Sequence, residues 1–423
     1  MFRFIHSADW QLGARFAQFS SEGTRLREAR ITTLRRALDL TTTHGAAAFL
    51  IAGDLFEDNQ VDDILVAAAL DLFRGHPALP IYILPGNHDP FTGPDSVWQR
   101  KAFQNASANV HVLCEAGVTP LGGNVYLVAS PLHQKLSTTD PSLKLVELAA
   151  QLPPDAIKIG ITHGALAIEA KHQPNDFPIA LNAASRAGLD YLAIGHWHNW
   201  LSDTDNGRIV MPGTPEPDRF TNASSGHVAL VEIGGSGQPP RVQPLPVATL
   251  NWRTLTFDFS SPEASRVSLS EILRELASSA ERTVLRVTLV GVAAPSALTE
   301  IRDWLTPALS PFLVGQLVNH TRVALTSAEL ADLQVRHPIL AQVLADIDRL
   351  ETFATGTVPD STAPISSSST VLPASEVPGL TPFTLTEAQG LLAPTKIDLA
   401  SLSPELLAQL RQTIFQTLQE VGR

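Results

Sequence analysis

The sequence is short of cysteine, of long apolar runs and of basic charge. Its single cysteine, Cys114, excludes both an intramolecular disulfide and a cysteine-based zinc finger. No apolar run approaches the roughly 20 residues that a membrane span needs. The start of the chain turns polar at Ser7, which is unlike a signal peptide. We therefore expect a soluble, cytoplasmic protein that binds no membrane.

The charge balance is acidic, with 30 Lys and Arg against 42 Asp and Glu and a net charge of −12. This argues against a basic groove that binds nucleic acid by charge alone. It does not exclude nucleic acid, because bound metal ions would add positive charge that formal counting misses.

The length of 423 residues predicts two or three domains. Short apolar runs alternate with helical spacing in the first part of the chain, which predicts an α/β domain at 1–245. We expect a smaller α+β domain at 250–325 and a helical segment at 326–355. Residues 356–380 are rich in Ser, Thr and Pro and indicate a flexible linker, before a helical tail at 381–423.

Polar side chains follow five of the predicted strands. They are Asp9, Asp54, the segment Gly86-Asn87-His88-Asp89, His163 and the segment Gly195-His196-Trp197-His198. Ligands of α/β folds bind outside the carboxyl ends of strands, so five such ends can converge on one site. Each motif alone is typical of a turn or a structural histidine, but we put coincidence of all five below roughly one in twenty.

The side chains of these motifs suit a metal centre. Carboxylate and amide oxygens mixed with imidazole nitrogens favour manganese, iron or zinc over calcium. One carboxylate can bridge two metals about 3.5–4 Å apart, as in phosphatases and nucleases. Asp54 is the candidate bridge, because it closes a strand in the tight Gly53-Asp54 turn. The pattern therefore indicates metal-dependent phosphoester chemistry.

The order and identity of the motifs resemble the calcineurin-like metallophosphoesterases, and within them the DNA-repair nuclease branch typified by the SbcD subunit of SbcCD. The segments Phe4–Gly13, Gly53–Phe56 and Met211–Pro217 also resemble that branch. The resemblance covers residues 1–235. It implies a four-layer sandwich, with two β-sheets flanked by helices, a smaller α+β capping domain and a helical C-terminal tail.

The resemblance also implies a role for each motif residue. One metal, at a first position, would be held by Asp9, Gln11, Asp54 and His198. A second position would be formed by Asp54, Asn87, His163 and His196. His88 would stabilise charge at the scissile phosphate or protonate the leaving oxygen, and Asp89 would orient His88. The implied cofactors are two divalent ions, manganese first, with magnesium, iron and zinc as alternatives.

The chain departs from the family pattern at two positions. The family has Asp-x-His in its first motif, where this chain has Asp9-Trp10-Gln11, and an amide oxygen is a weaker ligand than imidazole. We interpret Gln11 as a tolerated ligand swap, with loss of the first metal as the alternative. Glu57 stands where some family nucleases carry a His associated with exonuclease action, so exonuclease and endonuclease modes both stay open.

The expected function is metal-dependent hydrolysis of DNA by a two-metal mechanism, as an exonuclease or endonuclease in DNA repair. One alternative is a phosphodiesterase or phosphatase that acts on a small nucleotide or other phosphoester. Another is a catalytically weakened DNA-end scaffold for a partner ATPase. We expect DNA as the partner, with an SMC-like coiled-coil ATPase and a second copy of this chain, as a homodimer, as further candidates.

Overall fold

The computed structural model describes residues 1–323 except 170 and 172, together with isolated positions at 331, 334–336, 338 and 342. The predicted helical segment at 326–355 lies outside the described residues apart from those positions. The predicted linker at 356–380 and helical tail at 381–423 lie outside them entirely.

The chain divides into two units. The first holds Met1–Arg253 and Arg282–Val284, and the second holds Thr254–Glu281 and the described residues from Leu285 onward. The domain boundaries expected from the sequence stay predictions. Among the helices of the described residues, none combines the length and the apolar character that a membrane crossing requires.

The first unit is built from twelve described strands and five described α-helices. The strands are β1 (Phe2–Ser7), β2 (Phe49–Ala52), β3 (Ile81–Leu84), β4 (Val110–Val112), β5 (Gly117–Gly122), β6 (Val125–Ser130), β7 (Ile157–His163), β8 (Tyr191–Gly195), β9 (Leu201–Thr204), β10 (Ile209–Met211), β11 (His227–Ile233) and β12 (Arg241–Pro246). The helices are α1 (Gly23–His44), α2 (Asp63–Arg74), α3 (Lys101–Gln104), α4 (Leu143–Ala149) and α5 (Ala183–Arg186).

The strands form two six-stranded sheets. The first sheet has the order β12-β11-β1-β2-β3-β4, and β1 to β4 are parallel to one another. The second has the order β5-β6-β7-β8-β10-β9, with β6, β7, β8 and β10 parallel. In both sheets the central parallel strands are almost fully buried, which explains their continuous apolar runs.

The two sheets pack face to face and each carries helices on its outer face. Successive residues of a strand point to opposite faces, so Phe4 and Leu50 join the core between the sheets, where they meet Tyr191. Their neighbours Ile5 and Ile51 pack outward against α1 and α2. The outer face of the second sheet packs against α4 and α5. This arrangement confirms the predicted class of two β-sheets flanked by helices.

Helix α1 shows how the sequence pattern produces an outer layer. It buries Leu26, Leu34 and Leu38 along one stripe, at the spacing of a helix that covers a sheet. It ends at Gly45, whose φ of 61° lies in the left-handed region that favours glycine. Arg30 lies in the same buried stripe and is only 1% exposed.

The second unit is a small α+β assembly. Its elements are β13 (Asn251–Asp258), α6 (Pro262–Leu276), β14 (Thr283–Val290), β15 (Val292–Ala293), α7 (Pro295–Leu309), β16 (Val314–Asn319) and β17 (Arg322–Val323). The sheet has the order β13-β14-β16, and β15 pairs with β17. Phe257, Leu269, Val287 and Leu305 form its core, so the described part is α+β, as predicted.

Candidate metal centre

The five polar motifs lie at the carboxyl ends of β1, β2 and β3 in one sheet and of β7 and β8 in the other. Contacts across the sheets bring these ends together. The backbone N–H of His196 donates to the Asp9 carboxylate at 3.0 Å, and Nδ1 of His163 donates to the carbonyl oxygen of Ala52 at 2.8 Å. The motif residues therefore surround one region at the seam between the sheets.

The second position has its donor atoms already in contact. Nε2 of His163 lies 2.9 Å from Oδ1 of Asn87 and 3.4 Å from Oδ2 of Asp54. Nδ1 of His196 lies 3.0 Å from the same Asn87 oxygen. Because Nδ1 of His163 donates to a carbonyl, its Nε2 is the atom that carries a lone pair in the neutral ring. Lone pairs that face one another in a buried space repel each other unless a cation lies between them.

Electrostatics support that interpretation. Burial opposes protonation of His163, yet the charges of Asp54 and Asp9 raise its pKa to about 9. Burial by itself would raise the pKa of Asp54, but the charge and hydrogen bond of His163 hold that pKa well below its usual range. In the absence of another cation the ring thus provides the positive charge that the buried carboxylates require.

Asp54 lies beside Asp9 and His163, which the resemblance assigns to different metal positions. Ligand atoms of Asp9, Asp54 and His163 all lie within 4.8 Å of one another, and all three residues are buried. Burial raises the pKa of Asp9, in contrast with that of Asp54. A single buried carboxylate that is held ionised and reaches toward both positions suits a bridging role.

The first position is assembled through the backbone and through outer side chains. Gln11 is buried, and its backbone N–H donates to the carbonyl oxygen of Asp54 at 2.9 Å. Nδ1 of His198 lies 3.0 Å from Oδ2 of Asp218. The structure therefore places Asp9, Gln11, Asp54 and His198 around one region, as the resemblance implies, while their roles stay predictions.

His88 is half-buried and is the most accessible of the four motif histidines, with 38% of its side chain accessible. Its backbone N–H donates to Oδ1 of Asp54 at 2.9 Å, and its Nδ1 lies 3.0 Å from the carbonyl oxygen of Glu57. Asp89 is buried and accepts hydrogen bonds from the backbone N–H groups of Phe56 and Gly86. Burial, together with the charge of Asp54, raises the pKa of Asp89 to about 7. Asp89 therefore shapes the loop from which His88 projects.

The local backbone is unusual at the motif residues. Asp9, Gln11 and Asp54 have φ values of 54°, 41° and 54°, and His196 has 125°. Residues with side chains rarely adopt such angles, and those that do so cluster at functional sites. Glycine is required nearby, since a Cβ on Gly53 would lie 2.1 Å from Nδ1 of His163.

Three residues that belong to no sequence motif complete the surroundings. Oδ2 of Asp176 lies 2.8 Å from Nε2 of His196, and Asp218 contacts His198. Arg30 donates from Nη1 to the carbonyl oxygen of Trp10 at 2.6 Å, and its guanidinium lies over the ring of Phe16. Sequence reasoning missed these residues, because Arg30 resembles an ordinary charge on an amphipathic helix and both aspartates lie in irregular segments.

Comparison with known proteins decides the family. Residues 2–200 match the family model described as calcineurin-like phosphoesterase. This part of the chain is a calcineurin-like metallophosphoesterase domain. The predicted family is therefore confirmed for the segment that holds the motifs. The family uses divalent metals, and the buried Asp9, Asp54 and His163 are compatible with one.

Two curated proteins are similar to part of this chain. The SbcD subunit of the nuclease SbcCD from Rhodobacter capsulatus is 24% identical over 294 residues, which is 58% of this chain and 69% of that protein. The uncharacterized metallophosphoesterase YhaO of Bacillus subtilis is 22% identical over 243 residues. That match spans 54% of this chain and 57% of the relative, less than two thirds of its length.

Two solved structures are similar at low sequence identity. TT1561 of Thermus thermophilus matches with a TM-score of 0.40 and 11% identity, over 58% of this chain and 99% of that structure. A dimetal phosphatase from Danio rerio matches with a TM-score of 0.37 and 12% identity, over 58% and 98%.

Proposed function

We propose that the chain is a metal-dependent phosphodiesterase that hydrolyses DNA, with manganese as the preferred ion. The observation that carries the proposal is the convergence of buried donors from five strand ends, with one accessible histidine, His88, among them. The similarity to a protein named as a nuclease subunit supports DNA as the substrate.

Seven side chains would hold the two metals. They are Asp9, Gln11, Asp54, Asn87, His163, His196 and His198. Two divalent ions, when bound, would neutralise the phosphate charge and make a water molecule nucleophilic near neutral pH. They also account for how a chain with a net charge of −12 accepts a polyanion.

The protein's own groups bind and orient the reacting phosphate. Nδ1 of His88 donates to the Glu57 carbonyl, so the ring orientation is fixed and Nε2 is left to act on the substrate. In the doubly protonated ring Nε2 also carries a hydrogen, with which it can stabilise the developing charge or protonate the leaving oxygen. Asp89 holds the Gly86 and Phe56 N–H groups and thereby keeps His88 in place.

The remaining finer expectations belong to the same proposal. We propose a DNA-repair role, a cytoplasmic location, self-association and a partner ATPase. Among these, the similarity to a protein named as one subunit of a nuclease supports assembly with another subunit. We propose the second unit as the capping domain. The leading alternative, hydrolysis of a small phosphoester, is favoured by the acidic net charge.

The test is a cleavage assay on single-stranded DNA, double-stranded DNA and bis-p-nitrophenyl phosphate. We expect manganese-dependent DNA cleavage that a chelator abolishes and that Asp54→Asn abolishes at equal protein concentration. Hydrolysis of the small phosphodiester without DNA cleavage supports the alternative. Absence of both activities with bound manganese contradicts the proposal and favours the scaffold.

A further inference from the structure

The segment Gly195-His196-Trp197-His198 supplies one histidine to each proposed metal position. The two rings are held in different ways. Nε2 of His196 lies 2.8 Å from a carboxylate oxygen of Asp176. For His198 it is the other nitrogen, Nδ1, that lies 3.0 Å from a carboxylate oxygen of Asp218, although the angle of this contact falls outside that of a hydrogen bond.

A carboxylate only accepts hydrogen bonds, so the nitrogen that faces it carries the proton. In the neutral ring the opposite nitrogen then has the lone pair that a metal needs. His196 is thereby set to present Nδ1, which indeed faces Asn87 at 3.0 Å. For His198 the short distance to Asp218 favours the proton on Nδ1, which leaves Nε2 for a metal. The contacts therefore point to protons on opposite nitrogens of two histidines that are two residues apart.

The two carboxylates belong to separate parts of the first unit. Asp176 lies in the segment between β7 and β8, where its carbonyl oxygen accepts from the N–H of Ala165. Asp218 lies in the segment after β10, where it accepts from Asn222 at 2.5 Å and from Arg219 at 3.2 Å. Neither segment depends on the other for these contacts.

We propose that Asp176 and Asp218 are positioning residues that select the metal-binding nitrogen of one histidine each, so that the affinities of the two metal positions are set independently. Asp176 acts through His196 on the second position, and Asp218 acts through His198 on the first. This inference rests on the proposed function, because it requires the two metal positions.

Arg30 adds a second support on the side of the first position. Its Nη1 holds the carbonyl oxygen of Trp10, which lies between the two left-handed residues Asp9 and Gln11. Among the nearby carboxylates, Asp218 is the one whose charge acts most strongly on the pKa of Arg30. One buried guanidinium thus holds the turn that carries Asp9 by a hydrogen bond and acts on Asp218 through its charge.

The test measures binding of Mn²⁺ alone by calorimetry and by metal analysis. In the wild type we expect two bound ions. Asp176→Asn and Asp218→Asn should each weaken one of them by roughly 10–100-fold, the usual cost of removing an outer partner of a metal-binding histidine. The isosteric change keeps side-chain volume, and Asp218→Glu and Asp176→Glu provide second variants that retain the charge but move it by one methylene.

Background variants reveal which position is affected. In Asn87→Ala, which removes a ligand of the second position, Asp218→Asn should weaken the remaining site by roughly 10–100-fold, and Asp176→Asn by no more than about twofold. In Asp9→Asn the two effects should be reversed. Equal effects of both changes in one background would overturn the independent assignment.

A spectroscopic readout separates orientation from general stability. In nitrogen-15 NMR of histidine-labelled protein, His196 should carry its proton on Nε2 and His198 on Nδ1. Asp176→Asn and Asp218→Asn should each disturb the pattern of one ring only. The same proton position on both rings would contradict the inference, whereas failure of the wild type to bind any manganese would contradict the proposed function instead.

Discussion

The two proposed metal positions of this site are built by different means. At the second position Nε2 of His163 and Nδ1 of His196 already lie within 3.0 Å of Oδ1 of Asn87, and the carbonyl oxygen of Ala52 in β2 holds the His163 ring. At the first position Gln11 enters through a left-handed turn, and His198 is held from outside by Asp218. Gln11, which departs from the family pattern, therefore lies at the position whose geometry is set by backbone and outer contacts rather than by contacts between the metal-binding side chains.

The difference between the two positions indicates where the site can tolerate a substitution. A substitution at the second position removes an atom that contacts the other metal-binding side chains there, so it also displaces those side chains. A change at position 11 alters one donor on a turn that Arg30 and Asp54 hold by backbone contacts. The neutral amide is thus compatible with an intact fold around it.

The strongest way to break the comparison is to remove the residue common to both positions. Asp54→Asn should lower manganese occupancy at both positions, since this buried carboxylate reaches toward each of them. We expect turnover to fall by more than the roughly 10²–10⁴-fold that one acid–base group contributes. Metal analysis and the cleavage rate measure the two effects. The control is Asp71→Asn, an exposed change on α2, and loss of a single metal in Asp54→Asn would rule out the bridge.

The next change should leave both positions intact. His88→Asn should lower turnover by roughly 10²–10⁴-fold while manganese binding stays as in the wild type, because this ring is assigned to the phosphate. Calorimetry and single-turnover kinetics give the two quantities. His133→Asn is a matched control, since that exposed histidine also contacts a backbone carbonyl. A parallel loss of metal would make His88 a ligand.

A substitution at Gly53 should affect the second position through the packing of the backbone against His163. Gly53→Ala places a Cβ against His163 at a φ of 92°, and we expect the free energy of unfolding to fall by about 1–3 kcal/mol or more. Urea denaturation measures it. Gly93→Ala has a similar φ of 96°, but a Cβ there meets no described atom within 4 Å. An equal loss in both variants would show that backbone strain, not contact with His163, dominates.

The smallest expected effect sharpens the comparison at the first position. Gln11→His restores the family residue and adds an imidazole, which borderline metals prefer. The manganese concentration for half-maximal rate should fall on the order of tenfold, equivalent to about 1.4 kcal/mol, with little change in turnover at saturating metal. A metal titration of both proteins, with Gln11→Ala as control, measures the shift. Superimposable titrations would place position 11 away from the metal.

Many of the strands and helices were predictable, because buried elements impose strong apolar patterns on the sequence. The apolar run at Ile81–Leu84 predicts β3, and the helical spacing after Arg25 predicts most of α1. The edge strands of the two six-stranded sheets were not predicted. β12, for example, is mostly exposed and contains two prolines, so burial imposes little pattern on its sequence.

The candidate site was predictable to the extent that its residues follow strands. The nine motif residues come together because parallel strand ends meet at one edge. Asp176, Asp218 and Arg30 could not be found in the same way, because their contacts depend on how irregular segments and a helix pack. The left-handed backbone at Asp9, Gln11 and Asp54 also has no signature in residue type beyond the neighbouring glycines.

The position of the site at the seam of the two sheets has a mechanical consequence. Asp9, Asp54 and Asn87 extend from one sheet, while His163 and His196 extend from the other. A cation bound by these side chains would cross-link the two sheets. The sheets could then separate only after the cation is released. The melting temperature of the protein should then rise with metal concentration by mass action. The ions proposed for catalysis would thus also stabilise the packing of the two sheets.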